Sequence, residues 1–280
     1  MSSYAAEYQN AVDTLAQYGV EEAKTDAWYL LEYVTGLNRA SYLVKREEEM
    51  PTEERSRYAD VLQQRAQRIP LQYITGVQEF MGFPFAVSRA TLIPRQDTEV
   101  LVECVMKYAD GKRVLDLCTG TGCIILSLAK LCKLAGAVGT DIAEEAVETA
   151  RKNALALDAQ ADFFVGDLYQ ALEQEERFDI IVSNPPYIPS AVIETLAPEV
   201  KVHEPMTALD GAADGLKFYR AIVAEAKRYL AEDGRIFFEI GCEQAEDVET
   251  ILCEHGFTEI QVVKDYAGLD RVVSAKRSQE

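Results

Sequence analysis

Arg113-Val-Leu-Asp116-Leu-Cys118-Thr119-Gly120-Thr121-Gly122-Cys-Ile124 runs from an apolar stretch through two glycines into a helical pattern. A strand that turns through Gly-x-Gly straight into a helix opens a parallel, doubly wound sheet and brings backbone close to a ligand at the helix N-terminus. The chain keeps that rhythm. Helical periodicity covers residues 100–108, 123–134, 143–157, 215–230 and 244–255. Strand-like runs cover 113–117, 137–141, 163–165, 179–182 and 235–240, and a final pair makes seven. Such alternation predicts an α/β fold with a mostly parallel, Rossmann-like sheet and helices on both faces.

Residues 4–67 read differently. They are helical in period, with breaks near Gly19, Gly36-Leu-Asn38 and Pro51, and predict four or five short helices. Thr52 is the expected cap of one of them, with Glu53 and Glu54 in its first turn. Gln78-Glu-Phe80-Met-Gly82-Phe-Pro-Phe85-Ala-Val87 then reads as a hairpin turning at Gly82. The expected division is a helical substrate-docking domain over 1–72, a β-hairpin linker over 73–92 and a catalytic α/β domain over 93–280. A hydrophobic fraction of 48% over 280 residues is enough for one large core and a smaller one.

Composition narrows the chemistry. The six cysteines (Cys104, Cys118, Cys123, Cys132, Cys242, Cys253) contain no CxxC pair, and there are two histidines, so reduced core thiols are expected and a metal site is not. With 47 acidic against 28 basic side chains, the formal charge of −19 opposes the phosphate neutralisation that nucleic-acid binding requires. No apolar stretch has the roughly 18 residues of a membrane span, and the first residues lack a signal pattern, so a cytoplasmic location is expected.

Position 125 is Ile, where a dinucleotide fingerprint would place its third glycine, and no Gly-Lys-Ser/Thr follows to cradle a triphosphate. The acids at successive strand ends suggest another ligand. Asp116 precedes the glycines and suits a positively charged group; Asp141 ends the next strand and suits ribose hydroxyls; Asp167 follows the third strand and suits an adenine amine. Singly, each aspartate reads as a solvated strand end or a helix cap. Together with Gly-x-Gly they fit a nucleoside bearing an amino acid, S-adenosylmethionine, with S-adenosylhomocysteine as its product. Candidate contacts are Asp116, the turn Cys118, Thr119, Gly120, Thr121 and Gly122, the pairs Asp141-Ile142 and Asp167-Leu168, and Asn184.

The buried-strand run Phe178-Asp-Ile-Ile-Val-Ser183 ends in Asn184-Pro185-Pro186-Tyr187, where two prolines forbid further ladder or helix. On its own the tetrapeptide reads equally as an ordinary turn or as a pocket for a planar nitrogen. In the pocket, the Asn184 side-chain oxygen and a nearby backbone carbonyl accept the two N–H bonds, and Tyr187 supplies a flat face.

With these segments, the chain resembles class I S-adenosylmethionine-dependent methyltransferases of the amino-nitrogen type. Leu92-Ile-Pro-Arg95-Gln96-Asp97-Thr98-Glu99, Pro70-Leu-Gln72-Tyr73-Ile-Thr-Gly76 and Glu204-Pro205 through Asp214-Gly-Leu216 narrow the resemblance to HemK/PrmC-type glutamine methyltransferases of peptide chain release factors. The resemblance spans nearly the whole chain. It implies a seven-stranded class I methyltransferase sheet with a small N-terminal helical domain joined by a hairpin. It also implies methyl transfer to the glutamine of the Gly-Gly-Gln motif in class 1 release factors; separately, a monomer is expected. The implied catalytic and substrate residues are Asn184, Pro185, Pro186 and Tyr187, with Arg95 and Glu204 also on the substrate side. Asp97 or Thr98 equally suits a plain helix cap, and Gly211 and Gly215 suit plain turns. Cys118 stands where the family usually has glycine, and Gln96 where it usually has proline; tuned affinity is expected from both. Two rivals stay open: an exocyclic-amine methyltransferase acting on adenine or guanine in nucleic acid, and a cofactor-binding scaffold without chemistry.

Overall fold

A computed structural model describes residues 2–278. It contains two compact units, one formed by residues up to Gly76 together with Ala197–His203, the other by Val77–Leu196 and Glu204 onward.

The first unit is helical: α1 (Tyr4–Gln17), α2 (Ala23–Thr35), α3 (Arg39–Lys45), α4 (Thr52–Ala66) and α5 (Leu71–Thr75). Ser3 and Asn38 cap α1 and α3 by accepting from backbone N–H groups, and Gly36 and Gly76 end α2 and α5 in the left-handed region that glycine enters without strain. The expected Thr52 cap is not formed. Pro51 holds the cap position and Thr52 is the first helical residue, because proline's extended backbone already sets the entry to the helix. Leu15, Ala27, Trp28, Leu30, Leu31, Met50 and Tyr58 close the core. The buried Tyr58 hydroxyl is satisfied by the Ala27 carbonyl at 2.7 Å.

The second unit begins with a hairpin of β1 (Val77–Phe80) and β2 (Phe83–Ala86) around Gly82, as its pattern predicts. There follow α6 (Asp97–Ala109), β3 (Arg113–Leu117), α7 (Cys123–Leu131), β4 (Gly136–Asp141), α8 (Glu144–Leu157), β5 (Asp162–Val165) and β6 (Phe178–Ser183). After α9 (Ser190–Ile193) the chain visits the first unit as α10 (Pro198–His203), then adds α11 (Lys217–Tyr229), β7 (Leu230–Glu239), α12 (Ala245–Glu254), β8 (Phe257–Lys264) and β9 (Asp270–Arg277). Helix α7 stops three residues before the expected end because Cys132 turns extended.

The large sheet has the order β5-β4-β3-β6-β7-β9-β8, parallel except where β9 meets β7 and β8. Its central strands are continuous apolar runs because both faces are covered. Leu115, Ile181, Ile236 and Phe238 enter one core with α11 and α12, while Val114, Ile180, Val182 and Phe237 enter the other with α6, α7, α8 and the hairpin. The hairpin is anchored by Asn153 of α8, which accepts from Ala86 N–H and donates to the carbonyls of Ala86 and Thr121. Strand order reverses between β3's two neighbours, β4 and β6. Ligands of doubly wound sheets bind at that switch point, beyond the strands' carboxyl ends.

Candidate active site

A cavity of about 440 Å³ opens there, beyond β3, β4 and β6. Gly120, at φ 55°, forms part of its wall, and a Cβ built on it would meet nothing within 4 Å, so a ligand can lie directly against the backbone. Asp141 braces this turn, accepting from Gly120 N–H at 2.9 Å through Oδ2 and from Ala143 N–H at 3.0 Å through Oδ1. Each oxygen keeps a lone pair for a hydroxyl. Ile142, 60% exposed, stands beside it in the lining. Asp167 and Leu168 also line the cavity; the Leu168 carbonyl accepts from the Thr140 hydroxyl at 3.0 Å.

Two predicted cofactor residues sit behind this wall. Gly122 faces Leu126, Ala150 and Phe163 at 3.0–3.3 Å from where its Cβ would be, so close helix packing and its φ of 77° are what require glycine. Asp116 is fully buried and accepts the Thr119 hydroxyl at 2.6 Å through Oδ2, while Oδ1 has no hydrogen-bond partner among the described residues. Burial, with the Asp141 charge adding to it, pushes the Asp116 pKa up to about 7. Thr119 and Thr121 belong to the lining. Cys118 also lines the cavity, with φ 60° in the region that favours the glycine usual at this place, and burial raises its thiol pKa well above the ordinary range.

The tetrapeptide leaves β6 where the Ser183 hydroxyl donates to the Leu117 carbonyl at 2.7 Å. Asn184 and Pro186 reach the cavity; Pro185 is buried behind them and Tyr187 turns the other way. The Tyr187 hydroxyl donates to Glu239 Oε1 at 3.3 Å, and its carbonyl accepts from Gln244 Nε2 at 3.0 Å. Asn184 Nδ2 donates to Thr98 Oγ1 at 3.4 Å. Neither Asp97 nor Thr98 caps α6. Gln96 occupies the cap position without a side-chain bond, Asp97 pairs with Arg271 at 3.4 Å, and Thr98, 2% exposed, faces the tetrapeptide. Glu99 instead accepts from Met81 N–H in the hairpin turn at 2.6 Å.

Arg95 lines the cavity and pairs with Glu204. Burial pushes the Glu204 carboxyl above its ordinary pKa, against the pull of Arg95. The loop after Glu204 is sewn to the tetrapeptide: Ile188 N–H donates to Leu209 at 3.0 Å and Gly211 N–H returns to Ile188 at 2.9 Å. Gly211 and Gly215 are therefore more than turn residues. A Cβ on Gly215 would overlap the Tyr187 carbonyl oxygen, and one on Gly211 would come within 2.9 Å of the Tyr187 carbonyl carbon.

Glu239 was missed by the reading of motifs. It ends β7 at 1% exposure, with Oε2 unpartnered among the described residues, and burial pushes its pKa up to about 7. Its only sequence signal is an acid closing the apolar run Ile236-Phe-Phe. Met206, Thr207, Lys217 and Phe218 also line the cavity, and the reading of motifs gave none of them a role.

A backbone-accessible glycine, a braced carboxylate with free lone pairs and a second acid in the lining suit a nucleoside bearing an amino acid. An acceptor amide stands beside them at Asn184. The comparisons agree with this chemistry. A family model described as the PrmC N-terminal domain matches residues 8–76, and one described as the methyltransferase small domain matches residues 95–202. A release factor glutamine methyltransferase from Agrobacterium fabrum is 42% identical over 99% of this chain and 98% of its own length. Another with that name from Geobacter sulfurreducens is 43% identical over 94% and 92%. Among solved structures, a methyltransferase from Pyrococcus furiosus shares the fold at a TM-score of 0.55 and 16% identity, over 71% of this chain and 90% of its own. A Thermus thermophilus 16S rRNA methyltransferase, solved with AdoMet and guanosine, does so at 0.52 and 23%, over 72% and 50%. By its identity to these relatives over almost its whole length, the chain belongs to the release factor glutamine methyltransferase family.

Proposed function

We propose that the chain transfers a methyl group from S-adenosylmethionine to the side-chain amide nitrogen of the glutamine in the Gly-Gly-Gln motif of class 1 peptide chain release factors. The observation that carries this reading is Asn184, whose side chain enters the same cavity as Gly120, Asp141 and Asp167 with its nitrogen already engaged by Thr98. That leaves its oxygen as an acceptor for a substrate N–H.

The bound cofactor supplies an electrophilic methyl group on a sulfonium. Asp141 holds the ribose hydroxyls, Asp167 the adenine amine, and the Gly120 backbone lies against the ligand; Asp116 supports the turn through Thr119. Ile142 and Leu168 border the base. An amide nitrogen is a poor nucleophile because its lone pair is delocalised, so the protein's contribution is alignment. Asn184 Oδ1 and the Pro185 carbonyl each take one N–H of the glutamine, Pro186 shapes the wall, and Tyr187, turned away from the cavity, fixes the turn through Glu239 and Gln244. Alignment of this kind contributes up to roughly 7–11 kcal/mol. The two carbonyl oxygens also stabilise positive charge developing on the nitrogen. Arg95, held by Glu204, contacts the substrate loop at the cavity.

The helical unit serves as the docking domain for the release factor. We take the chain to act in the cytoplasm as a monomer; among the described residues no helix is long and apolar enough to cross a membrane. The charge of −19 supports a protein substrate over a nucleic acid. The test is incubation with labelled cofactor and, separately, purified release factor, DNA and RNA, followed by mass analysis of the Gly-Gly-Gln peptide. Methylation of that glutamine is expected; label in nucleic acid alone refutes the reading.

A further inference from the structure

The Asn153 side-chain amide uses both of its hydrogens. It projects from α8 at 1% exposure; Oδ1 accepts from Ala86 N–H at 2.8 Å, and Nδ2 donates to the carbonyls of Ala86 at 3.0 Å and Thr121 at 2.9 Å. Because a backbone N–H can only donate, the Ala86 bond settles which end of the amide is oxygen, and the NH2 end is left to the two carbonyls. A buried polar network with every member satisfied is rigid, so Asn153 ties Ala86 and Thr121 to each other.

Both partners lead into the wall of the cavity. Thr121 belongs to the glycine turn, and its carbonyl stands one residue before the N-cap Gly122 of α7. The first bond of that helix runs from Leu126 N–H to the Gly122 carbonyl at 2.9 Å, so the ladder leaves the Thr121 carbonyl to Asn153. Ala86 ends β2, and the chain continues from it into Ala90, Thr91, Leu92, Pro94 and Arg95, all in the lining. One turn earlier on the same face of α8, Thr149 fastens this segment again, with Oγ1 at 3.2 Å from Ser88 Oγ. The Ser88 carbonyl in turn accepts the Thr91 hydroxyl at 3.1 Å. Neither Asn153 nor Thr149 is in the lining, so neither touches a ligand there.

We infer that Asn153 is a positioning residue that sets the glycine turn, on which the cofactor lies, against the segment after β2, which carries Arg95 on the acceptor side. The inference rests on the proposed methyl transfer for what each segment holds, and adds the residue that fixes their spacing. Helix α8 begins just after Asp141, whose carboxylate accepts from Gly120 N–H at 2.9 Å. One helix therefore aligns the turn twice, from its start through Asp141 and from its buried face through Asn153.

The test uses the full chain, S-adenosylhomocysteine and a release factor. Asn153→Ala should weaken S-adenosylhomocysteine binding about tenfold by calorimetry, the loss of one buried hydrogen bond. Its kcat/KM should fall on the order of 10²-fold, the cost of misplacing reacting groups by about 1 Å. Thr149→Val keeps the shape of the helix and removes only the second fastening; it should raise KM for the release factor several-fold and leave the Kd of S-adenosylhomocysteine unchanged. A merely structural role would lower the unfolding temperature of both variants and leave Kd and KM at wild-type values in the cold. Wild-type Kd in folded Asn153→Ala, or wild-type KM in both variants, overturns the inference. Hydrogen exchange in the wild type decides the matter should Asn153→Ala not fold. Saturating S-adenosylhomocysteine should slow the Ala86 amide several-fold more than the Met81 amide at the hairpin tip, which Glu99 holds instead. Equal slowing of the two overturns the inference. A wild type that shows the unequal slowing yet leaves the glutamine unmethylated upholds the role of Asn153 and overturns the proposed acceptor.

Discussion

Arg68 grips Glu199 with two nitrogens, Nε to Oε1 and Nη2 to Oε2, each at 2.6 Å, across 131 residues of sequence. Arg65 adds a bond to the same carboxylate at 2.9 Å and another to the buried Asp26 at 2.6 Å. Partial burial disfavours the Glu199 charge, yet the two arginines hold its pKa down at about 2. The segment Ala197–His203 belongs to the helical unit through these bonds, although the chain on either side belongs to the other unit.

Arg65→Leu should therefore cost the helical unit about 3–5 kcal/mol, because Asp26 stays buried without its counter-charge. Urea unfolding followed by Trp28 fluorescence checks it. A shift below about 1 kcal/mol would place the pair among surface ion pairs of little consequence.

Asn184→Ala should abolish turnover, by at least a hundredfold in kcat, while the cofactor still binds. Removal of one preorganised hydrogen-bonding group from a transition state costs about 10²–10³. Single-turnover transfer and calorimetry on the same sample separate the two effects.

Gly215→Ala should damage both stability and turnover. Alanine pays roughly 1–2 kcal/mol for the positive φ, and its methyl group must displace the Tyr187 carbonyl and the Gln244 amide that holds it. Thermal unfolding together with kcat reads the change; a stable variant with unchanged kcat would mean the tetrapeptide tolerates movement.

Stability should fall as pH rises from about 4 to about 7. Across that window the unfolded chain has released the protons of Asp116 and Glu239 while the folded chain retains them, so alkali favours unfolding until both folded groups have ionised. The loss is on the order of several kcal/mol. The carboxyls of Asp141 and Glu204, also raised by burial, act in the same direction. Melting curves at pH 5 and pH 8 should differ in the wild type and converge in the Asp116→Asn/Glu239→Gln double variant.

Thiol alkylation near neutral pH should mark Cys242 and Cys253, which are exposed, before Cys118. Cys118 lines the cavity, but burial and the charges of Asp141 and Asp116 keep its thiol protonated, and the thiolate is the reacting form. Peptide mapping after timed labelling decides the order.

Elements built from neighbours in sequence were legible. The hairpin around Gly82, the strand leading into Gly120 and the seven-stranded alternation follow from side-chain period and glycine placement. The cap expected at Thr52 is not formed, and of the two readings open for Asp97 and Thr98 the cap is the one absent; in each case the preceding residue, Pro51 or Gln96, takes the cap position without a side-chain bond, which backbone entry geometry decides. Asn184, Arg95, Asp141 and Gly120 could be found because motifs place them beside turns. Glu239 could not, since an acid at a strand end looks the same whether water or a tyrosine hydroxyl will meet it.

The sequence by itself determined the α/β class, the glycine turn and the acceptor amide at the end of β6, because these depend on backbone period and on groups a few residues apart. Tertiary structure alone decided what that amide and the neighbouring tyrosine meet. Thr98 lies 86 residues from Asn184, and Tyr187 lies 52 from Glu239. Only sheet and helix packing bring such groups together, and only the resulting burial gives the Glu239 carboxyl a pKa of about 7 instead of that of a solvated acid.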